Sequence, residues 1–338
     1  MESLGPTLTL YNLGMTSLLV YIPTFNRPEH LESQLKALRP QLEENNRVRL
    51  IVADNASTKE ESLNLRTTMA REKWLTFKTR LGNIEANANI LLGFLECDVD
   101  EYLWILADDT AITDDCLDLI LNQIDDSTAD LIGMGFLEES PQWQSIDWEP
   151  GVVAKIMGQT RWGLISSAVY KASYFAPVIK EAFFFHNSSF PHLAVLLSGV
   201  RWNRKLSVSW LEETLIHGGN SVDLPSDYSL ALSGAPHLFL IEDNISARRK
   251  LVKSWLKTYG SAFMEARRRE RLAGWASLHI VVKYGGIFGL YRLTIGSLEV
   301  SFRRTALGRR LEKFVESRPS LMSAIQNRNG ISFRVRDK

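Results

Sequence analysis

The sequence predicts an α/β protein with a mostly parallel central sheet, and three observations lead to that fold class. Short apolar segments alternate with amphipathic segments between residues 17 and 137. Several of the short segments are apolar throughout, which is typical of strands covered by helices on both faces. Their order of strand, helix, strand and helix implies parallel neighbours joined by right-handed crossovers.

Five segments have the length and apolar character of strands, and the segments between them have the pattern of helices. The predicted strands are Ser17–Ile22, Arg49–Ala53, Leu75–Thr79, Tyr102–Leu106 and Asp130–Phe136. Pro40 is expected to fray the end of the first helix, whose apolar positions are Leu31, Leu35, Leu38 and Leu42. A second helical stripe consists of Ile84, Ala88, Leu91, Leu92 and Leu95. Thr113 is predicted to cap a third helix.

The bulk composition is that of a globular protein with an uneven distribution of charge. At 338 residues, 45% hydrophobic and 23% charged, the chain is long enough for one large domain or two. Cys97 and Cys116 are too few for a disulfide framework or a four-cysteine zinc site, so we expect reduced thiols in a cytosolic protein. Residues 1–247 contain 18 lysines and arginines against 33 aspartates and glutamates, whereas residues 248–338 contain 21 against 6. This division predicts an acidic body and a basic tail that contacts an anionic surface.

Two adjacent carboxylates, Asp108 and Asp109, follow the apolar strand that ends at Leu106. Charge at the end of a buried strand is costly unless a cation or hydrogen bonds offset it. The carboxyl edge of an open α/β sheet is also where ligands bind. A divalent cation between these carboxylates and a phosphate would meet both conditions, so the pair predicts a nucleotide-diphosphate site. Alternation along the strand predicts that one carboxylate faces the ribose and the other the metal.

Polar residues also follow the other predicted strands at this edge. Pro23 and Thr24 end the first strand, where proline stops the ladder and frees backbone groups to meet a ligand. Asp54 ends the second strand, where its carboxylate would either bind a nucleotide base or act as a helix N-cap or in an Asx turn. Arg80 and Asn83 follow the third strand, and the Asn83 amide would either face the ligand or cap the next helix.

Together these segments resemble the family 2 glycosyltransferases, which have the GT-A fold and include bacterial surface-polysaccharide enzymes. The resemblance is carried by Pro23-Thr24-Phe25-Asn26-Arg27, Asp54, the segment from Gly82-Asn83 to Asn89, and Asp108-Asp109. It is strong over residues 17–137, weaker over residues 160–220 and absent in the tail. Glu85 stands where glycine is common in the family, and Thr110 stands where many relatives carry a third acid.

The resemblance implies a metal-dependent, inverting glycosyltransferase of surface polysaccharide biosynthesis. It would move a hexosyl or related sugar from a nucleotide-diphosphate sugar to a glycan or lipid-linked acceptor. Asp54 would bind the base, Asp108 would contact the ribose during catalysis, and Asp109 would bind Mn²⁺ or Mg²⁺. Further contacts to the nucleotide are implied for Pro23, Thr24, Asn26, Arg27, Arg80 and Asn83.

Two histidines are candidates for the remaining roles that the resemblance implies. The family places its catalytic base near the start of a helix in the second half of the domain, and His192 lies there. A capping or core-edge role is the competing interpretation of His192, and Glu212 or Glu213 is the alternative base. His217 precedes two glycines in a late loop and is a candidate third metal ligand. Trp162, Trp202 and Trp210 would either stack on acceptor sugars or belong to the core.

We predict four segments along the chain: an N-terminal extension (1–16), a nucleotide-sugar-binding half (17–137), an acceptor-binding half (138–245) and a helical basic tail (246–338). The charges of Lys283 and Arg292 bring the free energy of inserting Leu272–Gly296 across a membrane near zero. This favours a segment that lies in the plane of the membrane surface over one that spans the membrane. Residues 248–338 are therefore expected to hold a cytoplasmic protein at the inner face of an anionic membrane. A partner protein and the acidic body of the chain are the alternative contacts of the tail.

Other functions require motifs that can be looked for in the sequence. Nucleic acid is not an expected partner, because the basic residues form no recognition module. The glycine-rich loop of nucleotidyltransferases is missing after the first strand. A non-catalytic nucleotide-sugar-binding or assembly scaffold of the same fold is the alternative function, favoured by Thr110 and by the missing Glu-Asp base element. A homo-oligomer is left open.

Overall fold

The computed structural model describes residues 17–43, 45–134, 143–158, 160–211, 213–217, 234–269 and 271–303. They form two compact units that interleave along the chain. The first unit combines the described residues up to Ser145 with Leu164–Pro177 and residues 206–217. The second unit combines Ile146–Gly163, Val178–Lys205 and the described residues from 234 onward. The predicted segment boundaries at residues 16, 137 and 245 stay predictions.

The central element is an eight-stranded mixed sheet. The strands in chain order are β1 (Ser17–Thr24), β2 (Val48–Asp54), β3 (Thr76–Thr79), β4 (Glu101–Ile105), β5 (Ala111–Ile112), β6 (Leu131–Met134), β7 (Ser145–Asp147), β8 (Ala168–Lys171), β9 (Lys205–Leu211) and β10 (Ile216–His217). The sheet order is β3-β2-β1-β4-β8-β6-β9-β7, and β5 pairs with β10 in a separate ribbon. The predicted α/β fold class is confirmed, and the five predicted strands differ from the observed ones by at most two residues at each described end.

The parallel half of the sheet brings the ends of three strands together. Strand β1 pairs in parallel with β2 and β4, and β2 pairs in parallel with β3. The register aligns Thr24 with Asp54 and Tyr21 with Ile105. Because parallel strands end at the same edge, the residues that follow β1, β2 and β4 lie at one edge. Strand β8 is antiparallel to both β4 and β6, so the sheet is mixed beyond β4.

Helices occur in each segment for which the sequence predicts a helix, and three of them differ from the prediction in a boundary or a buried face. The helices are α1 (Pro28–Glu43), α2 (Glu60–Met69), α3 (Ala86–Glu96), α4 (Cys116–Asp126), α5 (Val152–Met157), α6 (Ala172–Phe175), α7 (Ile179–Ala182), α8 (Pro191–Asn203), α9 (Ile245–Arg269) and α10 (Arg271–Arg303). Short 3₁₀ turns are Thr160–Gly163, Ile165–Ser167, Ala176–Val178, Phe183–Ser188 and Ala235–Ile241. Within the described residues, none of the helices has both the length and the apolar character that crossing a membrane requires.

Helix α1 continues past Pro40, so the prediction that this proline frays the helix is wrong. The helix runs through it to Glu43, and the four leucines of its apolar face are buried. Proline removes the hydrogen bond of its own nitrogen to the preceding turn, and its ring crowds the carbonyl group four residues earlier. Leu38 and Leu42 pack on either side of that gap, and the Gln41 amide donates to the carbonyl oxygens of Ala37 and Thr113. Tertiary packing therefore maintains the last turn.

The core face of α3 is rotated from the predicted stripe. Ile84 lies before the helix and is 38% exposed, and Leu95 is 60% exposed. The buried apolar residues are Ile90, Leu91 and Phe94. Asn89 occupies the same face and donates to the carbonyl oxygen of Ala53, which a stripe drawn from apolar residues alone does not include.

The start of α4 also differs from the prediction. The helix begins at Cys116 with Asp115 in the capping position, so Thr113 is not its N-cap. The Thr113 hydroxyl is buried and has no hydrogen-bond partner in the described part of the chain. The Thr113 amide instead donates to the carbonyl oxygen of Leu215, beside the β5–β10 ribbon. This nonlocal pairing determines the conformation of the segment.

Candidate functional site

Four side chains, from the end of β1 and from the segments that follow β1 and β4, form one charged cluster. The Arg27 guanidinium bridges the two carboxylates, with Nη1 2.8 Å from Asp108 Oδ1 and Nη2 2.8 Å from Asp109 Oδ2. Thr24 Oγ1 donates to Asp108 Oδ2 over 2.7 Å. The side chains of Asp108, Asp109 and Arg27 are 5%, 19% and 38% exposed. The structure thus brings together the residues predicted at the ends of the first and fourth strands.

Alternation predicts that the two carboxylates face opposite ways, and this prediction is wrong. Strand β4 ends at Ile105, and Asp108 and Asp109 lie in a turn where the alternation of a strand no longer applies. Both carboxylates therefore contact the same guanidinium. Their division into a ribose contact and a metal ligand stays a prediction.

Burial and neighbouring charges combine differently in the pKa values of Asp108 and Arg27. Burial raises the pKa of Asp108 above its ordinary value, and Arg27 and Thr24 offset only part of that effect. Burial lowers the pKa of Arg27, but the two carboxylates outweigh it and hold this pKa above its usual range. A single cation shared by two acids leaves the more buried carboxylate incompletely compensated.

Ser166 positions the carboxylate turn and was missed as a site residue by the sequence analysis. Its hydroxyl accepts a hydrogen bond from the Ala107 amide over 2.9 Å and lies 3.1 Å from Thr110 Oγ1. Its carbonyl oxygen accepts the Trp104 indole N–H. The buried polar Ser166 and Ser167 within an otherwise apolar stretch are the signal that could have indicated this role.

Asp54 ends β2 opposite Thr24 and is 3% exposed. Its Oδ1 accepts a hydrogen bond from the Ser57 amide, three residues on, whereas an Asx turn bonds the amide two residues on. The next helix has Lys59 at its N-cap, so Asp54 organises this loop as neither an Asx turn nor a helix cap. Asn26, in the left-handed conformation with φ of 54°, accepts hydrogen bonds from the amides of Thr58 and Lys59. These contacts connect the loop after β1 to the loop after β2. Base binding by Asp54 stays a prediction.

Arg80 and Asn83 organise the loop after β3. Arg80 Nη2 donates to the Tyr21 hydroxyl over 2.8 Å, and its Nε donates to Asn89 Oδ1 over 3.1 Å. Burial raises the pKa of Tyr21 to about 12, so its hydroxyl stays protonated as a donor to Asn89. Asn83 accepts hydrogen bonds from Asn55 and from the Glu85 amide, and Glu85 rather than Asn83 is the capping residue of α3. Nucleotide contacts of Arg80 and Asn83 stay predictions.

The backbone of His217 lies close to the carboxylate turn along the ribbon. Strand β10 pairs His217 with Ala111, two residues after Asp109. His217 therefore belongs to a short strand and not to a loop, and its role as a third metal ligand stays a prediction. Of the alternative bases, Glu212 lies outside the described residues and Glu213 is exposed.

His192 belongs to the second unit, in the first turn of α8, and is 1% exposed. Its Nε2 lies 2.9 Å from the Trp162 carbonyl oxygen, which requires the proton on Nε2. Burial lowers the pKa of His192 to about 4, so the ring is neutral at neutral pH. Its Nδ1 has no hydrogen-bond partner among the residues that the structure describes. The ring is therefore enclosed, as the core interpretation expects, and Trp162 is 1% exposed beside it.

The carboxylates of Asp108 and Asp109 fit a divalent cation by their chemistry. Carboxylate oxygens are the hard ligands that Mg²⁺ and Mn²⁺ accept, and water and phosphate oxygens ordinarily complete such sites. Within the described residues, no group of three or more histidine, cysteine, aspartate or glutamate side chains could hold a metal ion. Arg27 contacts both carboxylates, so an incoming cation competes with this guanidinium.

Comparison with known proteins agrees with this arrangement. The model of Glycosyl transferase family 2 matches residues 19–175, which include Thr24, Arg27, Asp54 and both carboxylates of the cluster. No curated protein sequence matches the chain significantly.

Solved structures with low sequence identity share the fold. S. aureus TarS 1–349 has a TM-score of 0.54 and 13% identity, covering 94% of this chain and 93% of that chain. A structure of TarS 1–349 in complex with UDP-GlcNAc has a TM-score of 0.53 and 13% identity over the same shares. The mannosyltransferase PcManGT from Pyrobaculum calidifontis, in complex with GDP-Man and Mn²⁺, has a TM-score of 0.51 and 12% identity, covering 93% and 88%. In a longer TarS structure, the match covers 50% of that chain.

These likenesses establish the architecture, and the family match covers the segment that carries the charged cluster. The fold is GT-A, and residues 19–175 match the model of Glycosyl transferase family 2.

Proposed function

We propose that this protein transfers a sugar from a nucleotide-diphosphate sugar to a glycan or lipid-linked acceptor in surface polysaccharide biosynthesis. The observation that carries the proposal is the buried carboxylate pair, held by Arg27 and Thr24 within the family segment. The neighbouring structures of TarS with UDP-GlcNAc and of PcManGT with GDP-Man and Mn²⁺ support a nucleotide-sugar donor. The donor sugar and its base are left to experiment.

In this proposal Asp109, with His217, holds Mn²⁺ or Mg²⁺, while Asp108 contacts the ribose and Asp54 the base. The cation would neutralise charge on the departing diphosphate, a contribution of several kcal/mol in metal-dependent transfer. Arg27 contacts the Oδ2 atom of Asp109, so loading of the site requires this guanidinium to share or release the carboxylate. Released from the pair, Arg27 is a second cation available to the diphosphate.

The catalytic base has no assignment in this proposal. An inverting transfer needs a group that accepts the proton of the acceptor hydroxyl. His192, the residue predicted for this role, has a ring that is 1% exposed and a pKa of about 4. A buried imidazole cannot meet an acceptor hydroxyl unless the surrounding residues move.

Calorimetric titration with UDP, GDP, CDP, dTDP and ADP, in Mn²⁺ and in EDTA, tests the donor site. We expect one nucleotide to bind in Mn²⁺, and Asp109→Asn to weaken that binding about a hundredfold. Asp100→Asn is the matched control, because Asp100 is an exposed carboxylate at the amino end of β4. Absence of binding by every nucleotide, or equal binding by Asp109→Asn, would overturn the proposal.

A non-catalytic nucleotide-sugar-binding or scaffold protein is the second candidate, and the burial of His192 favours it. Hydrolysis of the bound nucleotide sugar in Mn²⁺ distinguishes the two functions, because slow transfer to water needs the same leaving-group stabilisation as transfer to an acceptor. Turnover that Asp109→Asn abolishes supports the enzyme. Tight donor binding without hydrolysis, or without transfer to any glycan or lipid-linked acceptor, supports the scaffold.

For location, we propose a cytoplasmic protein at the inner face of the membrane, held there by residues 248–338. The charge asymmetry of the chain supports this location, since residues 248–338 contain 21 lysines and arginines against 6 acids.

A further inference from the structure

Helix α10 reverses direction at Gly286 and is therefore a pair of helical arms. Gly286 has φ of 58° and ψ of −146°, outside the helical region and in a conformation that glycine adopts readily. A methyl group added to Gly289 would lie 3.1 Å from the carbonyl oxygen of Val281. In a continuous helix, residues eight apart are separated by about 12 Å along the axis. The chain on the two sides of Gly286 therefore folds back on itself.

This turn is held against α9 by contacts on both of its sides. A methyl group on Gly285 would lie 3.3 Å from Leu256, so the two helices approach closely there. Before the turn, the Tyr284 hydroxyl accepts a hydrogen bond from Arg248 over 2.7 Å. After it, Arg292 Nη2 donates to the Lys257 carbonyl oxygen over 2.9 Å. The turn therefore has a defined place in the second unit.

The side chains that follow the turn are apolar and exposed. Ile287 is 88% exposed, Phe288 37%, Leu290 51% and Tyr291 58%. Single exposed apolar residues are ordinary on protein surfaces, but four within five consecutive positions form a contiguous patch. We call residues 286–291 the α10 tip.

Exposed cations occur in the segment before the tip and on α9, which packs against it, and acids are missing from the same stretches of sequence. Lys283 lies three residues before Gly286 and is exposed. On α9 the exposed cations are Arg249, Lys250, Lys253 and Lys257, close to the residues that contact Gly285 and Arg292. The sequence contains no aspartate or glutamate between residues 245 and 264 or between residues 271 and 298. The surface is thus both apolar and positively charged.

We propose that the α10 tip inserts its apolar side chains into the interface of an anionic lipid bilayer, with the neighbouring lysines on the lipid headgroups. Lysines are depleted from protein–protein interfaces, whereas aliphatic, aromatic and lysine side chains together are typical of elements that lie in a membrane surface. Tyr291 supplies an amphipathic ring of the kind enriched at headgroup level. This inference deepens the proposed location and does not depend on transferase activity.

Vesicle co-sedimentation of the full-length protein tests the tip. Vesicles of phosphatidylcholine alone are compared with vesicles that also contain phosphatidylglycerol. We expect binding to the anionic vesicles, and a loss of about tenfold in the double variant Ile287→Ser, Phe288→Ser, since binding scales with the apolar area inserted. Lys253→Gln should weaken binding to anionic vesicles about fivefold and leave the neutral vesicles unaffected.

The matched control is the double variant Leu95→Ser, Val99→Ser, because both residues are 60% exposed and belong to the first unit. It should bind vesicles like the wild type. Circular dichroism on every variant detects loss of folding, and UDP titration detects failure of the donor site. Both are thereby distinguished from failure of the tip to bind vesicles. Equal vesicle binding by wild type and tip variant overturns the proposal. The proposal is also overturned if the wild type does not bind vesicles, or if the tip variant changes only in its oligomeric state, from oligomer to monomer.

Discussion

Two arginine–carboxylate clusters lie at opposite ends of β4, and they differ in how completely the carboxylate is satisfied. At the amino end, Glu101 accepts hydrogen bonds from Arg49 Nε and Nη2 over 2.7 and 2.6 Å. It also accepts from the Asp98 amide and the Ser17 hydroxyl. At the carboxyl end, one guanidinium is divided between Asp108 and Asp109. Glu101 and Asp108 are equally buried, at 5% exposure.

The same burial therefore has opposite outcomes for the two pKa values. Burial raises the pKa of Glu101, but the hydrogen bonds of Arg49 and Asp98 outweigh it, and the net pKa lies below its ordinary value. For Asp108 burial dominates, and the net pKa lies above its ordinary value. A carboxylate with a full set of donors is a structural element. A carboxylate that shares its cation retains the capacity to bind a ligand.

The largest expected effect is the loss of stability on removing the charge of Glu101. Glu101→Gln leaves Arg49 without its bidentate partner, and we expect the free energy of unfolding at pH 7 to fall by about 3 kcal/mol. Urea denaturation measures this change. Nucleotide affinity should stay unchanged, because Glu101 lies at the edge of the sheet away from the charged cluster. A variant of normal stability and weakened nucleotide binding would reverse the roles of the two clusters.

The pH dependence of unfolding free energy provides a second test of the role of Glu101. Because the folded-state pKa of Glu101 lies below 4.5, its contribution is present above pH 4.5 and is lost as the pH falls below that value. The difference in unfolding free energy between wild type and Glu101→Gln should therefore shrink between pH 5 and pH 3. Urea denaturation at a series of pH values measures it. A difference independent of pH would show that the hydrogen-bond geometry, and not the charge of Glu101, is responsible.

A smaller effect is expected at the carboxyl end when its shared cation is removed. Arg27→Gln leaves Asp108 buried beside Asp109, and we expect a loss of about 2 kcal/mol at pH 7 in EDTA. Solvent screens both clusters alike, because Arg27 is 38% and Arg49 37% exposed. The loss is smaller than for Glu101→Gln because the Glu101 carboxylate also accepts hydrogen bonds from Asp98 and Ser17 and takes both bonds of one guanidinium. Arg39→Gln is the matched control, since its pair with Glu43 is about half exposed and should contribute little. If Arg27→Gln and Arg39→Gln lose the same unfolding free energy, the cation shared by Asp108 and Asp109 contributes no more than an exposed ion pair.

The smallest effect is expected for the neutral donor of the cluster. Thr24→Val removes the hydroxyl that donates to Asp108 and keeps the branched shape, so unfolding free energy should fall by about 1.5 kcal/mol. Thr24→Ser retains the hydroxyl and should recover most of that loss. Thermal and urea denaturation of the pair measure the hydrogen bond. A Thr24→Ser variant as unstable as Thr24→Val would assign the effect to packing.

Local sequence patterns predicted the strands and their parallel pairing well, and the boundaries and buried faces of the helices less well. Apolar runs of strand length, followed by Pro23, Asp54 and Asp108, indicated the sheet edge at which the charged cluster lies. The prediction for α3 was rotated because Asn89, a polar residue, belongs to its buried face. A pattern of apolar positions cannot include a side chain whose burial depends on hydrogen bonds to Ala53 and Tyr21, far along the chain.

The sequence by itself determined the α/β class, the parallel pairing of the first strands and the position of the carboxylate pair, because these depend on contiguous residues. Only the tertiary structure decided the order of the strands in the sheet, the bridging of the pair by Arg27, 81 residues before Asp108, and the role of Ser166 in holding the turn. It also decided that His192 is enclosed. Each of these outcomes depends on contacts between residues distant along the chain, and no local spacing encodes which partner such a residue meets.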